Sequence, residues 1–332
     1  MREAQLIKYD AKNPIIKLTT AEAKAVGDHD LLIESKVAAV NPLDNLLAHG
    51  DLKLVVPYKL PQTLGNEFVG IVKQAGSAVK NFQAGDRVYA RTPLDNMGAF
   101  AEEIVISEQA VAKVPDYLTD EEAAAVPLTA LTAMQAFDLL EAKAGQTLFI
   151  SGGSGSFGAM AIPLAVARGL KVITTGSGAK KEELLALGVS QFIDYRKEDY
   201  TKLVKDVDLV IDTLGGEELF KQMEILKKGG RIVSLRAMPN RTFAKRMGMS
   251  WGKQILFGLA AAKIERQAKK KQQHYDFIFV EANGSQLAQA SEILAKSQVR
   301  PALGKRYSLD QVKEAMEDVA HGHSRGKVLI KF

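Results

Sequence analysis

Three glycines in one short segment, Gly153, Gly155 and Gly158, stand in the order G-x-G-x-x-G. The apolar run Thr147–Ile150 precedes them, and Ala159–Arg168 follows with helical spacing. This order turns the chain tightly, brings backbone N–H groups near a pyrophosphate and packs the next helix against the loop. We therefore predict a dinucleotide site; a glycine-rich turn without a ligand is the alternative. The residues expected to contact the cofactor are Gly153, Ser154, Gly155, Ser156, Phe157 and Gly158.

The residues after the second strand of this region favour a phosphorylated ribose. The strand Lys171–Thr175 runs on into Ser177, Lys180 and Lys181, and no carboxylate occurs before Glu182. A carboxylate there would accept the ribose hydroxyl of NAD, whereas a hydroxyl and two lysines attract a 2′-phosphate. We therefore expect NADPH in preference to NADH. The alternative is that the lysines start a helix and face water.

Strands and helices alternate regularly from residue 147 onward, which is typical of a parallel, doubly wound Rossmann sheet. The predicted strands are Thr147–Ser151, Lys171–Thr175, Gln191–Asp194, Asp208–Asp212, Arg231–Leu235 and Tyr275–Glu281. The helices predicted between them are Ala159–Arg168, Lys180–Leu187, Tyr200–Lys205 and Glu217–Lys227. Because the carboxyl ends of parallel strands meet at one edge, the loops that carry Thr213, Leu214 and Leu235 should also line the cofactor.

The first third of the chain has short strands and frequent turns, which predicts a mostly β domain. Its strands are Leu31–Val40, Phe68–Lys73, Arg87–Ala90, Glu102–Ile106 and Ala110–Val114. The tail combines helices at Ser285–Lys296 and Leu309–Ala320, an extended piece at Val299–Leu303 and a strand at Lys327–Phe332. We therefore predict a β-rich domain over 1–122, the sheet domain over 123–283, and a return to the first domain over 284–332.

The composition excludes several kinds of site. The chain has 332 residues and no cysteine, which excludes disulfides, thiolate zinc ligands and cysteine nucleophiles. No signal peptide or membrane-spanning stretch is recognisable, so we expect a cytoplasmic protein without a membrane partner. The net charge of +5 is mild, and the basic cluster Lys263–Lys271 lacks interleaved aromatics. It is interpreted as a solvated helix face, and nucleic-acid binding is not expected.

Taken together, these segments resemble the medium-chain dehydrogenase/reductase superfamily, specifically its zinc-free quinone oxidoreductase branch, over essentially the whole chain. The matching segments are Ala38–Gly50, Leu60–Val72, Gly85–Ala90, Gly98–Ile106, Ala123–Ala133, Ala144–Gly158, Leu187–Tyr200, Asp208–Gly216 and Gly326–Phe332. The resemblance implies a Rossmann domain joined to a GroES-like catalytic domain. It also implies hydride transfer from NADPH to a small electrophilic acceptor, a quinone or an α,β-unsaturated carbonyl.

The resemblance assigns roles to several residues. Asn41 and Asp44 would lie near the nicotinamide and the substrate carbonyl, Thr132 would meet the nicotinamide, and Tyr195 would lie beside the adenosine. The segment with Ser177, Lys180 and Lys181 matches the 2′-phosphate region of relatives that use NADPH. The residues alone also allow other interpretations, with Asn41 as a helix N-cap, Thr132 in a helix core and Tyr195 in ordinary packing.

Two departures from the family pattern bear on the chemistry. Zinc-dependent members carry Gly-His-Glu where this chain has Gly65-Asn66-Glu67, so no zinc is expected. Some relatives that reduce enoyl groups have a tyrosine soon after the Asn-Pro-x-Asp motif, but no tyrosine occurs here before Tyr58. Without that tyrosine, the expected proton donor is Tyr58 or water.

The resemblance also implies a homodimer, formed through the strand Tyr275–Glu281 at the sheet edge. Two other functions stay open from the sequence. One is a nucleotide-binding sensor or nucleic-acid-binding protein without turnover, and the other is an enoyl-thioester reductase.

Overall fold

The computed structural model describes all but three residues of the chain, over the ranges 1–22, 25–322 and 324–332. Two compact units divide it: Met1–Leu131 with Glu281–Phe332 form unit 1, and Thr132–Val280 form unit 2. Unit 1 is mostly β, and unit 2 is built on a parallel sheet, which confirms the α/β class. The compact units divide after residues 131 and 280. The domain limits that the sequence placed after residues 122 and 283 stay a prediction.

The first part of unit 1 is a series of antiparallel strands with few helices. The strands are β1 (Arg2–Lys8), β2 (Ile15–Thr20), β3 (Asp30–Val40), β4 (Gln62–Thr63), β5 (Glu67–Ala75), β6 (Arg87–Arg91), β7 (Glu103–Ser107) and β8 (Val111–Lys113). The helices are α1 (Pro42–His49), α2 (Asp120–Ala124) and α3 (Pro127–Leu139), the last of which extends into unit 2. Strands β1, β2 and β4 form a small separate sheet that the sequence did not predict.

Unit 2 alternates strands and helices as predicted. Its strands are β9 (Thr147–Ile150), β10 (Lys171–Gly176), β11 (Gln191–Asp194), β12 (Val207–Asp212), β13 (Leu226–Ser234) and β14 (His274–Phe277). Its helices are α4 (Ser156–Ala167), α5 (Lys181–Ala186), α6 (Tyr200–Leu203), α7 (Gly216–Ile225), α8 (Arg241–Arg246), α9 (Trp251–Ala260) and α10 (Ala262–Lys270). All strand pairs are parallel, in the order β11-β10-β9-β12-β13-β14. The chain therefore reverses its direction of winding at β9, where such sheets bind ligands.

The last fifty residues return to unit 1 through α11 (Gly284–Lys296), β15 (Leu303–Ser308), α12 (Val312–His321) and β16 (Lys327–Lys331). Strand β16 joins the large sheet of unit 1 antiparallel to β3, with Val328 opposite Val40. Strand β5 flanks β3 on its other side, with Glu67 opposite Ala39. These two pairings bring Lys327, Asn41 and Glu67 to one place, although they are far apart in the sequence.

Several predicted elements differ from the structure by more than two residues at an end. Helix α7 ends at Ile225, and β13 already begins at Leu226. Its pairing with β12 has a bulge between Leu226 and Arg231, a stretch that includes Gly229 with a φ of +77°. The edge strand β14 ends at Phe277 instead of Glu281. The extended piece predicted over Val299–Leu303 overlaps the observed strand only at Leu303, where β15 begins. In the described part of the chain, no helix is long and apolar enough to cross a membrane.

Candidate active site

The glycine loop between β9 and α4 is pinned to the neighbouring strand β10. The N–H of Gly152 donates to Thr175 Oγ1 at 3.0 Å, and the N–H of Gly153 donates to Thr174 Oγ1 at 3.1 Å. The Gly153 N–H also reaches the Thr175 carbonyl at 2.8 Å. Gly152, just before the motif, makes the turn with a φ of +67°. The loop is therefore held by backbone and hydroxyl groups, before any ligand binds.

The three motif glycines meet different surroundings. A Cβ on Gly153 would lie within 3.0 Å of Thr174 Oγ1, and one on Gly158 would lie within 3.0 Å of the Gly153 carbonyl. A Cβ on Gly155 would have the Gly152 carbonyl as its nearest neighbour, at 3.4 Å. Gly153 and Gly158 therefore allow close packing, whereas the space beside Gly155, the N-cap of α4, holds only the Gly152 carbonyl at ordinary contact distance. A pyrophosphate fits that space and the N–H groups beside it.

The other predicted cofactor residues of unit 2 lie along the carboxyl edge of the same sheet. Gly176 is paired with Asp194 at the ends of β10 and β11, and Asp212 is paired with Ser234 at the ends of β12 and β13. The predicted residues that directly follow these strand ends are Ser177, Lys180, Lys181, Tyr195, Thr213, Leu214 and Leu235. The fold thus gathers them at one edge; contact with a cofactor stays a prediction. Thr132 lies nearly buried on α3.

Asp212, which the sequence analysis did not single out, organises two of these loops. Its buried carboxylate accepts hydrogen bonds from the N–H groups of Leu214 at 3.0 Å and Gly215 at 2.9 Å. It also accepts from Ser234 Oγ at 2.6 Å and Gln222 Nε2 at 2.8 Å. A carboxylate with four donors around it is well stabilised where it is buried. The signal in the sequence was an acid at the end of β12, directly after the apolar run Leu209–Ile211.

The expected 2′-phosphate region contains more acid than the sequence indicated. The ammonium group of Lys180 is paired with Glu183, whereas Lys181 is exposed. A Cβ on Gly178 would lie within 3.0 Å of Asp194 Oδ2, so this carboxylate adjoins the backbone after β10. Sequence reasoning missed Asp194 because it comes from the neighbouring strand. The positive field that favours NADPH is therefore weaker than Ser177 and the lysines suggest.

In unit 1, five residues form a polar cluster: Asn41, Asp44, Asn66, Glu67 and Lys327, all buried. Lys327 Nζ donates to both Asn41 Oδ1 and Glu67 Oε1. The amide of Asn41 donates to Glu67 Oε1 at 2.9 Å and to the Ala39 carbonyl at 3.2 Å. Both amide hydrogens of Asn41 are thus already bonded within the protein. To donate to a substrate carbonyl, Asn41 has to release one of them.

Asp44 has a double role in the polar cluster. Its Oδ2 accepts from the Asn41 N–H at 2.7 Å, which closes the first turn of α1 behind Pro42, and its Oδ1 accepts from Asn66 Nδ2 at 2.6 Å. Asn41 occupies the predicted N-cap position, although its side chain makes no capping hydrogen bond. Complete burial nevertheless outweighs these two hydrogen bonds and raises the pKa of Asp44 to about 7. Asp44 can therefore hold or release a proton near neutral pH.

Two further donor groups are buried: Arg91, which sequence reasoning missed, and Tyr58, which it left as a candidate proton donor. The guanidinium group of Arg91 is fully buried, and its Nε and Nη2 have no hydrogen-bond partner among the described residues. Burial lowers the pKa of Arg91 to about 10. The hydroxyl of Tyr58 is likewise buried without a partner in the described structure, and burial raises its pKa to about 12. Nothing in the sequence distinguishes Arg91 from the solvated arginines.

The polar cluster does not have the ligands of a catalytic zinc ion. Asn66 stands where zinc-dependent dehydrogenases have a histidine, and its amide is bonded to Asp44. The carboxylate of Glu67 is paired with Lys327 and also accepts from the Leu128 N–H at 2.7 Å. The chain contains no cysteine, and within the described ranges no three His, Asp or Glu side chains are placed to hold a metal ion. The residues present therefore do not fit a catalytic zinc ion.

Comparison with known proteins gives matches over both units. The family profile described as the alcohol dehydrogenase GroES-like domain matches residues 27–116, and the profile described as zinc-binding dehydrogenase matches residues 187–330. NAD(P)H oxidoreductase RTN4IP1, mitochondrial, from Danio rerio is 28% identical, over 99% of this chain and 91% of its own. The 2-methylene-furan-3-one reductase from Solanum lycopersicum is 30% identical, over 92% of this chain and 72% of its own. The structure of a quinone oxidoreductase from Coxiella burnetii is 27% identical, covers 100% of this chain and 99% of its own, and superposes with a TM-score of 0.81.

Proposed function

The chain belongs to the medium-chain dehydrogenase/reductase superfamily, in its quinone oxidoreductase-like branch, and is an NAD(P)H-type oxidoreductase; from this premise we propose that it works without zinc. In this proposal it reduces a quinone or an α,β-unsaturated carbonyl with NADPH. The observation that carries the proposal is the glycine loop, where Gly155 is the N-cap of α4 and a side chain at this position would contact only the Gly152 carbonyl. A site of this kind binds a dinucleotide by its diphosphate.

The residues of the chain bind and orient the reactants. Backbone N–H groups of the loop and of α4 would hold the diphosphate, while Thr213, Leu214 and Leu235 would line the cofactor at the strand ends. Bound NADPH supplies a hydride to the electrophilic carbon of the acceptor. The conjugated oxygen then gains negative charge and takes a proton from water. Donors such as the Asn41 amide would stabilise that charge, so that positioning provides most of the rate.

The proposed acceptor class follows from the reactions that are feasible without a metal ion. Oxidation of an unactivated alcohol benefits from a Lewis acid, which the polar cluster has no ligands to bind. Quinones and enones are already electrophilic and need less polarisation. The tomato relative is named as a reductase of a 2-methylene-furan-3-one, a carbonyl compound with an adjacent methylene group. This name is consistent with an enone acceptor.

The preference for NADPH over NADH is the finer part of the proposal. Ser177 and Lys181 are available to a 2′-phosphate, whereas Glu183 offsets Lys180 and Asp194 lies against the same backbone. We infer a modest preference for NADPH. We also propose a homodimer that pairs through β14, because β14 lies at the edge of the sheet. The cytoplasmic location stays a prediction, and the zebrafish relative is named as mitochondrial.

A panel of acceptors tests the proposal. NADPH and NADH oxidation are followed with quinones, 2-alkenals and crotonyl thioesters, before and after dialysis against a chelator. We expect turnover with quinones or alkenals that survives chelation, and a higher kcat/KM with NADPH. Cofactor binding without turnover of any acceptor would indicate a sensor. Activity that chelation removes and zinc restores would contradict the metal-free mechanism.

A further inference from the structure

The helices α8 to α10 carry an excess of positive charge. Between Asn240 and Gln273 the chain has nine lysines and arginines and a single acid, Glu265, a net charge of +8, whereas the whole chain carries only +5. Ion pairs join Arg246 to Asp276, Lys263 to Glu217 and Lys271 to Glu224. Arg266, Lys269 and Lys270 are exposed and have no ion-pair partner within the described ranges.

The same segment exposes large apolar side chains. Trp251 and Leu259, each 71% exposed, are the two most exposed large apolar residues of the described chain, and Leu256 is 46% exposed. All three lie on α9. Single exposed leucines are common on protein surfaces, but three large apolar side chains on one short helix are not. Burial of this patch against something apolar is therefore favourable.

Helices α9 and α10 form one bent helical path. Only Ala261 separates them, and its N–H reaches the Phe257 carbonyl at 3.0 Å while its carbonyl accepts from the Glu265 N–H at 2.9 Å. Both bonds span four residues, as in a continuous α-helix. At roughly 100° per residue, the exposed residues fall within one half of the helix circumference. They form the α9–α10 face: Trp251, Leu256, Leu259, Lys263, Arg266 and Lys270.

The opposite side of this path is buried. Phe257, Ala261, Ile264 and Ala268 are at most 8% exposed and recur at helical spacing. The path is therefore anchored in unit 2 by one side. Its free side is apolar in the first half and basic in the second.

We propose that the α9–α10 face docks on the surface of a membrane that contains anionic lipids. Tryptophan and leucine insert at the boundary between headgroups and acyl chains, and lysine and arginine bind the lipid phosphates. The sequence alone predicted a solvated face and no membrane partner; the exposure of Trp251 and Leu259 points the other way. No helix has to cross the bilayer in this arrangement.

Two other occupants fit the face less well. A second copy of the chain, placed by a twofold axis through the basic half of this face, would bring Arg266 and Lys270 against their own counterparts and be repelled. The homodimer proposed above pairs instead through the edge strand β14. A nucleic acid would satisfy Arg266 and Lys270 but would leave Leu256 and Leu259 in water. A lipid surface satisfies the charges and the apolar side chains together.

Trp251 is the single tryptophan of the chain and therefore a probe placed in the face itself. Its emission is recorded with vesicles of phosphatidylcholine, with and without phosphatidylglycerol. We expect a blue shift and co-sedimentation with the anionic vesicles alone, both reduced by high salt because salt screens the charges. No shift, or an equal shift with neutral vesicles, would overturn the proposal.

Variants locate the binding surface. Leu256→Ser with Leu259→Ser, and separately Arg266→Glu with Lys270→Glu, should each weaken sedimentation with anionic vesicles by about tenfold or more. The matched control is Leu203→Ser with Lys205→Glu, since Leu203 is 51% exposed on α6 and Lys205 is exposed beside it. It should bind vesicles like the unmodified protein. Equal losses in all three variants would refute the assignment.

Two competition results would also contradict the proposal. If duplex DNA or RNA gives the same blue shift as anionic vesicles, the face is a nucleic-acid site. If the emission shifts when the protein concentration is raised without vesicles, and the mass measured in solution rises with it, the face is a contact between two copies. NADPH oxidation in vesicle-free buffer should be unchanged in all variants, which separates this proposal from the proposed reaction.

Discussion

The glycine loop of unit 2 and the polar cluster of unit 1 are built in opposite ways. The loop is held by backbone groups and two threonines, and what matters at Gly153 and Gly158 is the absence of a side chain. The cluster depends on side chains, with the Lys327–Glu67 pair at its centre. The loop should therefore be disrupted by an added methyl group, and the cluster by a deleted charge.

The two regions differ in which interactions contribute to the free energy of unfolding. A buried ion pair is stabilising only while both partners are present, because a lone charge left in the interior is strongly unfavourable. A close contact between backbone groups leaves no unpaired charge when it is disrupted. Its loss therefore costs only the free energy of local repacking. We expect substitutions in the cluster to affect folding most, and substitutions in the loop to affect cofactor binding most.

The largest effect is expected for Glu67→Ala. It leaves the ammonium group of Lys327 buried with Asn41 as its remaining partner, and should lower the free energy of unfolding by about 3–5 kcal/mol. Urea denaturation measures the loss. The double variant Glu67→Ala with Lys327→Met should be more stable than Glu67→Ala alone. A loss below about 1 kcal/mol, the size of an exposed pair, would show that the cluster is not a buried ion pair.

The pH dependence of stability tests Asp44. Its pKa is raised from 3.8 to about 7 in the folded protein, so between these values the folded state holds a proton that the unfolded state has released. The free energy of unfolding contributed by Asp44 therefore falls as pH rises, by about 1.4 kcal/mol per pH unit. Urea denaturation of the unmodified protein and of Asp44→Asn between pH 4 and 7 gives the difference. Parallel pH profiles would contradict the raised pKa.

The loop is tested by two alanine substitutions that should behave differently. Gly158→Ala places a methyl group against the Gly153 carbonyl and should cost about 1–3 kcal/mol of stability. Gly155→Ala has space for its methyl group and should leave the melting temperature nearly unchanged, but it should weaken NADPH binding about tenfold. Thermal melts and fluorescence titration separate these effects. Unchanged NADPH affinity in Gly155→Ala would show that the diphosphate does not bind at this loop.

The smallest effect is expected at the ribose end. Lys180→Glu with Lys181→Glu should raise the KM for NADPH more than the KM for NADH, by about tenfold in the ratio, because only NADPH carries the extra phosphate. Lys205→Glu is the control, since Lys205 precedes β12 at the opposite edge of the sheet. Steady-state kinetics with both cofactors give the ratio. Equal changes for NADPH and NADH would place the 2′-phosphate elsewhere.

Local patterns predicted the loop and the order of elements in unit 2. The signals for β9, the glycines and α4 lie within about twenty residues of each other, and the loop is closed by Thr174 and Thr175 on the next strand. Hydrophobic periodicity and glycine positions are sufficient for such a unit. Even there, the start of β13 was missed, because the stretch around Gly229 resembles a helix end in sequence.

The polar cluster could not be predicted from residue types in the same way. Asn41 and Asp44 were recognised by resemblance, but Lys327 lies 286 residues from Asn41 and reaches it only because β16 pairs with β3. The same holds for Asp194, which adjoins Gly178 through the pairing of β10 and β11. Pairing between distant strands has no local signal, and it decides which charges become neighbours.

Main-chain amides differ from side chains in that, of the twenty residues, only proline removes the N–H when it is substituted in. If the loop after β9 binds its ligand through such groups, most substitutions can change the shape of the loop but not the N–H donors that it presents. Adaptation to a different nucleotide then has to occur at the tips of β10 and β11, where Ser177, Lys181 and Asp194 are replaceable. Engineering of cofactor choice in this protein should begin at those three positions and leave the glycines untouched.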